Sequence, residues 1–209
     1  MFATYNPAVR LYLPSTKRLI ENHLLSLPPT DRFLRFFSFV TDESIKKYVS
    51  GIVLNDVYSS EAGFGVFDMT GTRLVGFAHV VPPNNVNPAL SNVDSAEFAL
   101  SVSVDSRKQG IGNYLFQRGM LHCESHGIKR VYMNCLADNH VMQRMAKRNG
   151  FKVVTSFGES VATLNVKDDK AVKSFVEAAL SDQLALYDLG CRASMSTFLT
   201  LAGLLKREE

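Results

Sequence analysis

The feature that most restricts this chain is an alternating run, Glu97 to Val104, met at once by the glycine turn Arg107-Lys108-Gln109-Gly110-Ile111-Gly112. In an extended strand Phe98, Leu100, Val102 and Val104 share one face, and Glu97, Ala99, Ser101 and Ser103 share the other, which is small and polar. After the turn, Ile111, Leu115, Gly119 and Cys123 recur at helical spacing with Phe116 and Met120 beside them. Gly127 stands where a glycine closes a helix. A second strand, Arg130 to Leu136, leads into a second helix that stops at Asn149-Gly150-Phe151. This order sets a helix N-terminus, with its unpaired N–H groups and positive dipole end, beside the end of a strand. Such a place favours an anion.

The flanking segments supply the rest of an α/β unit. Val9 to Leu13 alternates as a short first strand, and Ser15 is a candidate cap for a helix carrying Leu19, Ile20, His23, Leu24 and Leu27 inward. Pro28-Pro29 ends that helix. Arg32 to Phe39 interleaves arginine and phenylalanine, but the run is short and reads as a core-capping turn or short helix rather than a nucleic-acid patch. Thr41 or Asp42 caps a third helix with Ile45, Tyr48, Val49 and Ile52 inward. Strand patterns at Gly63 to Met69 and Leu74 to Val81 are joined by the turn Thr70-Gly71-Thr72-Arg73, and Pro82 to Ser95 is a loop bordering the central stretch. Lys152 to Phe157 and Val161 to Val166 are the last strand patterns. Asp168 then caps a long helix, Gly190 punctuates it, and Met195 to Leu205 suggests a final one. The expected organisation is a domain over 1–166 and a C-terminal helical extension over 167–209, packed on that domain or lying in an oligomer interface, which leaves a homodimer open.

Composition narrows the partners. A net charge of +3 over 209 residues is too small to argue for nucleic acid, although it helps attract an anionic ligand. Cys123, Cys135 and Cys191 are odd in number and lack metal-ligand spacing, which points to a reducing, cytoplasmic setting and to no metal site. Phe198 to Leu205, the longest late apolar run, is far too short to span a bilayer, so no membrane partner is expected. His122 and His126 share a helix face without a third ligand and read as surface residues. His79 lies on a strand near the presumed acceptor side, either satisfied in place or touching substrate. A lone cysteine on an apolar strand, as Cys135 is, reads as core.

Two familiar phosphate motifs fail against the glycine turn. No lysine followed by serine or threonine comes after the second glycine, as a P-loop needs, and Leu115 stands where the dinucleotide fingerprint needs a small residue. Arg107-x-x-Gly110-x-Gly112 after an apolar strand instead resembles the signature of the GCN5-related N-acetyltransferase (GNAT) superfamily. Asn139-x-x-Met142-x-x-Met145-Ala146-x-x-x-Gly150-Phe151 is similar to that family's second signature, in the same order and separation. The resemblance covers about Val9 to Val166 and is nearest in detail to bacterial protein-lysine acetyltransferase-type domains.

The resemblance implies an α/β GNAT fold: a mixed, mainly antiparallel twisted sheet of six to seven strands flanked by helices. It implies that Val102, Ser103 and Val104, at a splayed strand end, pair with the pantetheine arm of acetyl-CoA. Arg107, Lys108, Gln109, Gly110, Ile111, Gly112 and Asn113 would take the diphosphate, and Asn139 with Met142 would meet the pantetheine arm. Lys108 is either a charge for a phosphate or a solvated lysine. Ala96-Glu97-Phe98-Ala99 is similar to the strand that carries the base in that branch, which makes Glu97 the expected catalytic base. Ala146 replaces the tyrosine that many members use as general acid, so Tyr114, Tyr132, Cys135 or unassisted departure of the thiolate stay open. The expected enzyme is an acyl-CoA-dependent N-acyltransferase moving acetyl from acetyl-CoA to a protein lysine or small amine by direct attack. The alternative is a non-catalytic acyl-CoA sensor acting through the C-terminal helices.

Overall fold

The computed structural model describes residues 8–11, 14–54, 59–82 and 94–166. The expected C-terminal helices, including Asp168, Gly190 and Cys191, and most of the Pro82 to Ser95 loop lie outside the described residues. Among the described residues seven strands form one sheet in the order β1-β2-β3-β4-β5-β7-β6. The strands are β1 (Val9–Arg10), β2 (Ala62–Phe67), β3 (Leu74–Val81), β4 (Ser95–Val102), β5 (Arg130–Leu136), β6 (Lys152–Ser156) and β7 (Glu159–Asn165). Every pairing is antiparallel except β4 with β5, which is parallel. This is the mixed, mainly antiparallel sheet expected.

Among the described residues five α-helices cover the two faces: α1 (Lys17–Leu25), α2 (Pro29–Phe36), α3 (Asp42–Gly51), α4 (Ile111–Ser125) and α5 (His140–Arg148). Phe64, Ala78, Val80 and Phe98 of β2 to β4 form one core with Leu115 and Phe116 of α4. Phe77 and Leu74 join a second core with Ile20, Leu24, Ile45 and Val49 of α1 and α3. The sheet therefore lies between α4 and α5 on one face and α1 to α3 on the other. The stripe read from α4 is buried as expected, with Leu115 and Cys123 fully so.

Local chemistry accounts for the helix ends. Thr41 caps α3, its side-chain oxygen accepting the Ser44 amide at 3.2 Å. Pro29 opens α2 at the first helical position, where its missing N–H has no intrahelical partner to lose. Arg32 ties the first three helices together by donating to the Leu25 and Leu27 carbonyls and pairing with Asp42 at 2.7 Å, which makes the Arg32 to Phe39 run structural. The expected Ser15 cap is not used: Pro14–Thr16 is a 3-10 turn that runs into α1, and Thr16 makes no side-chain cap.

Two further expectations change. β4 begins at Ser95, where it pairs with Arg130 of β5, and ends at Val102, opposite the last paired residue of β3, Gly76; Val104 falls in a 3-10 turn over Val104–Ser106. His122 is not a surface residue: it is 1% exposed and its Nε2 bonds the Ser60 carbonyl, a contact that sequence spacing does not reveal.

Candidate active site

The site begins where two strands part. β4 pairs with β5 only from Ser95 to Glu97, opposite Arg130 to Tyr132. Beyond that point β4 continues along β3 and β5 continues along β7, so a gap opens between them. The Ser103 amide donates to the Val75 carbonyl at 2.8 Å, which fixes the phase of the β3–β4 ladder. Successive peptide groups of a strand point to opposite edges, so Leu100 and Val102 aim their N–H and C=O groups at the gap. Val102 is thus placed to offer its N–H to an extended ligand arm, its carbonyl being taken by Arg107, whereas the Ser103 amide is already engaged in the sheet.

At the mouth of the gap the chain turns into α4. Gly110 caps that helix with φ 82° and Lys108 has φ 62°, both in the left-handed region that lets the turn close tightly. Asn113 and Tyr114 donate to the Gly110 carbonyl at 2.9 and 3.1 Å. Ile111 and Gly112, in the first turn of the helix, have no carbonyl one turn earlier to bond. No acidic residue lies in that first turn to compete for an anion. A Cβ on Gly112 would stand 3.7 Å from the Met145 sulfur and 4.0 Å from a Val102 methyl, so α4, α5 and β4 converge there. Arg107 turns away from the cradle: Nε donates to the Val102 carbonyl at 3.3 Å and Nη2 pairs with Asp31 of α2 at 2.6 Å. Its side chain fixes the turn, while Lys108, Gln109 and Asn113 stay exposed along the rim.

Asn139 caps α5 through Oδ1, which accepts the Met142 amide at 3.2 Å, so its remaining side-chain capacity for a ligand is the amide nitrogen. Met142 is half-buried against the α4-side core. Ala146 is 2% exposed in that same core, and no acid group stands at its position. Burial pushes the Cys135 thiol up, which fits its place in the core and not a nucleophile.

Glu97 emerges on the α1–α3 face of β4, at the last residue paired with β5 and opposite Tyr132. One carboxylate oxygen lies 3.4 Å from the Asn134 side-chain amide of β5, so the carboxylate bridges the two strands where they separate. On the same face, His79 of β3 lies directly across from Ala99. Its Nδ1 is 2.7 Å from the Tyr48 hydroxyl of α3, and its Nε2 is 3.0 Å from Glu61. His79 is therefore satisfied in place, by partners that sequence reading did not identify. Burial drives His79 below the ordinary histidine value despite the Glu61 hydrogen bond. Burial works to raise Glu61, but hydrogen bonds from His79 and the Val53 amide outweigh it and hold the carboxyl low. Neutral imidazole beside carboxylate is the resulting state.

Among the described residues no group of three metal-ligating side chains converges, and no helix is long and apolar enough to cross a membrane. A family model described as "Acetyltransferase (GNAT) family" matches residues 31–151. Among solved structures, the GNAT domain of S. lividans PAT superposes with a TM-score of 0.63 at 16% identity, over 76% of this chain and 89% of that one. RimL, a ribosomal L7/L12 alpha-N-protein acetyltransferase in complex with coenzyme A, gives 0.58 at 15% identity over 80% and 98%. An N-acetyltransferase from Staphylococcus aureus Mu50 gives 0.55 at 16% identity over 77% and 99%.

Proposed function

The chain belongs to the acetyltransferase (GNAT) family, and on that premise we propose that it moves an acetyl group from acetyl-CoA to a primary amine by direct attack in a ternary complex. The observation that carries the reading is the parting of β4 from β5, with a glycine-turned helix N-terminus at one end and Glu97 at the other. The cradle suits a diphosphate, which the amides of Ile111 and Gly112 would meet without a Cβ intervening at 112. The N–H groups of Leu100 and Val102 suit an extended pantetheine arm and a thioester carbonyl, whose developing negative charge they would stabilise.

Glu97 takes the role of base. An amine arriving as an ammonium ion must lose a proton before its nitrogen can attack, and Glu97 lies half-buried at the fork of β4 and β5, on the face opposite α4. RimL is described as acting on the α-amino group of a protein, and the PAT domain is a fold neighbour. A protein amine is accordingly the first acceptor class to try, with small amines beside it. The buried Ala146 favours one rival, a domain that binds acetyl-CoA without turnover.

The decisive experiment measures thiol release from acetyl-CoA against lysine peptides, N-terminal peptides and small amines, for the wild type and Glu97→Gln. The expected result is turnover by the wild type and a loss of about 10²-fold or more in the variant with CoA binding retained. Equal rates would remove Glu97 from the mechanism. CoA binding with no turnover on any amine would install the sensor instead.

A further inference from the structure

A polar chain links four elements on the acceptor face. Arg35 of α2 donates to the Tyr48 hydroxyl of α3 at 2.9 Å, Tyr48 meets His79 of β3, and His79 meets Glu61 just before β2. His79 and Glu61 are 3% and 4% exposed. The direction of every hydrogen is set by the ends. A guanidinium can only donate and a carboxylate can only accept. With a neutral imidazole between them, Nε2 carries its proton toward Glu61, and bare Nδ1 accepts from the Tyr48 hydroxyl. This is the arrangement in which a hydroxyl hands its proton to a histidine oriented by a carboxylate.

The chain also lies beside the reacting centre. His79 faces Ala99 across the ladder, and Glu97 is its diagonal neighbour on the same face, at roughly 7–8 Å by strand geometry. Ala99 adds no bulk between them. α2 packs against both β4 and β5, and its Phe36 stacks edge-on against Tyr48 at 5.4 Å. The charged and titratable groups facing His79 are Arg35, Tyr48, Glu61 and Glu97.

Resting on the acetyl-transfer reading, we propose that Tyr48, backed by His79 and Glu61, is the proton shuttle of this enzyme and supplies the acid that position 146 lacks. Two protons must leave the acceptor ammonium. Glu97 takes the first and releases it to solvent. The free amine attacks the thioester carbon, a C–N bond forms and the carbonyl oxygen becomes an oxyanion. The nitrogen, now cationic, gives its second proton to the Tyr48 oxygen as Tyr48 passes its own to His79 Nδ1. Glu61 stabilises the imidazolium and Arg35 the tyrosyl oxygen. The C–S bond then breaks, the carbonyl reforms, and the proton returns from His79 through Tyr48 to the thiolate sulfur. The products are amide and thiol, and the shuttle ends as it began.

The test uses the full chain and whichever peptide or amine of the panel above is turned over. Tyr48→Phe should lower kcat about 10²-fold, leave the KM for acetyl-CoA unchanged, and keep that deficit at all pH values. Glu97→Gln should recover as pH approaches the amine's own pKa, since its step precedes attack. Glu61→Gln, which preserves shape, should lower kcat with the same flat pH response. A Tyr48→Phe enzyme within twofold of wild type, or one that recovers with pH as Glu97→Gln does, overturns the shuttle and leaves acetyl transfer standing. If Tyr48→Phe does not fold, Glu61→Gln decides, and full activity there overturns the proposal. A wild type that binds CoA but turns over no amine removes both.

Discussion

Gly119→Ala tests how α4 is held against the strand that carries Glu97. Gly119 sits mid-helix, and a Cβ built there would lie 2.3 Å from Phe98 Cε2 and 2.9 Å from Cδ2. Ordinary contact begins near 3.4 Å, so the ring edge has to retreat by about 1.1 Å. Phe98 has little room for it. It is 1% exposed and packs edge-to-face on Phe116 at 5.6 Å, which packs on Phe151 at 5.5 Å. Overpacking of this kind costs about 1–3 kcal/mol, and alanine's better helix propensity returns about 1 kcal/mol. The net expectation is a destabilisation of roughly 0–2 kcal/mol. Denaturant unfolding of wild type, Gly119→Ala, Phe98→Leu and the double variant measures it. Phe98→Leu removes the ring edge that clashes, so the double variant should be more stable than the two single losses summed, by roughly 1 kcal/mol. A Gly119→Ala protein as stable as wild type, with additive losses in the double variant, would refute the close α4–β4 contact.

Gly112→Ala should behave in the opposite way, because its Cβ meets only ordinary contacts at 3.7 and 4.0 Å. Unfolding should show stability equal to wild type or higher by up to about 1 kcal/mol, whereas calorimetric CoA affinity should fall at least about tenfold; unchanged affinity would take the diphosphate away from this turn. Acid should destabilise the fold through its buried histidines, His23, His122 and His79, each held low by burial. Burial lowers His23 to about 4, and burial with the neighbouring His126 lowers His122 to about 2. The unfolded chain therefore binds these protons first, so their contribution is complete above the ordinary value of 6.5 and is lost as pH falls, for His23 by about pH 4 and for His122 by about pH 2. His23 and His122 alone give a slope of roughly 2.7 kcal/mol per pH unit below 6.5, and His79, also held low by burial, adds to it. Urea midpoints at pH 7, 6 and 5 would show it, and a flat response would contradict the burial of these rings.

What the sequence by itself determined was local. Strand patterns placed β3 and β5 at their observed ends, Leu74–Val81 and Arg130–Leu136, because each run is bounded by turn residues. The α4 stripe, the Thr41 cap and the glycine turn were legible for the same reason: each depends on neighbours within four residues. Tertiary structure decided the rest. The C-terminal end of β4 follows from where β3 supplies partners, not from the alternation, which runs on to Val104. The gap between β4 and β5 opens where their pairing stops, beyond Glu97 and Tyr132, while each strand keeps the neighbour on its other edge. His122 is buried because a carbonyl 62 residues away receives its ring nitrogen. Tyr48, His79 and Glu61 read as an inward helix residue, a strand histidine and an unremarked acid until the fold closes separations of 31 and 18 residues. Periodicity tells a side chain which face it takes. Only the closed sheet, with α2 and α3 laid across it, decides which other side chains it will find there.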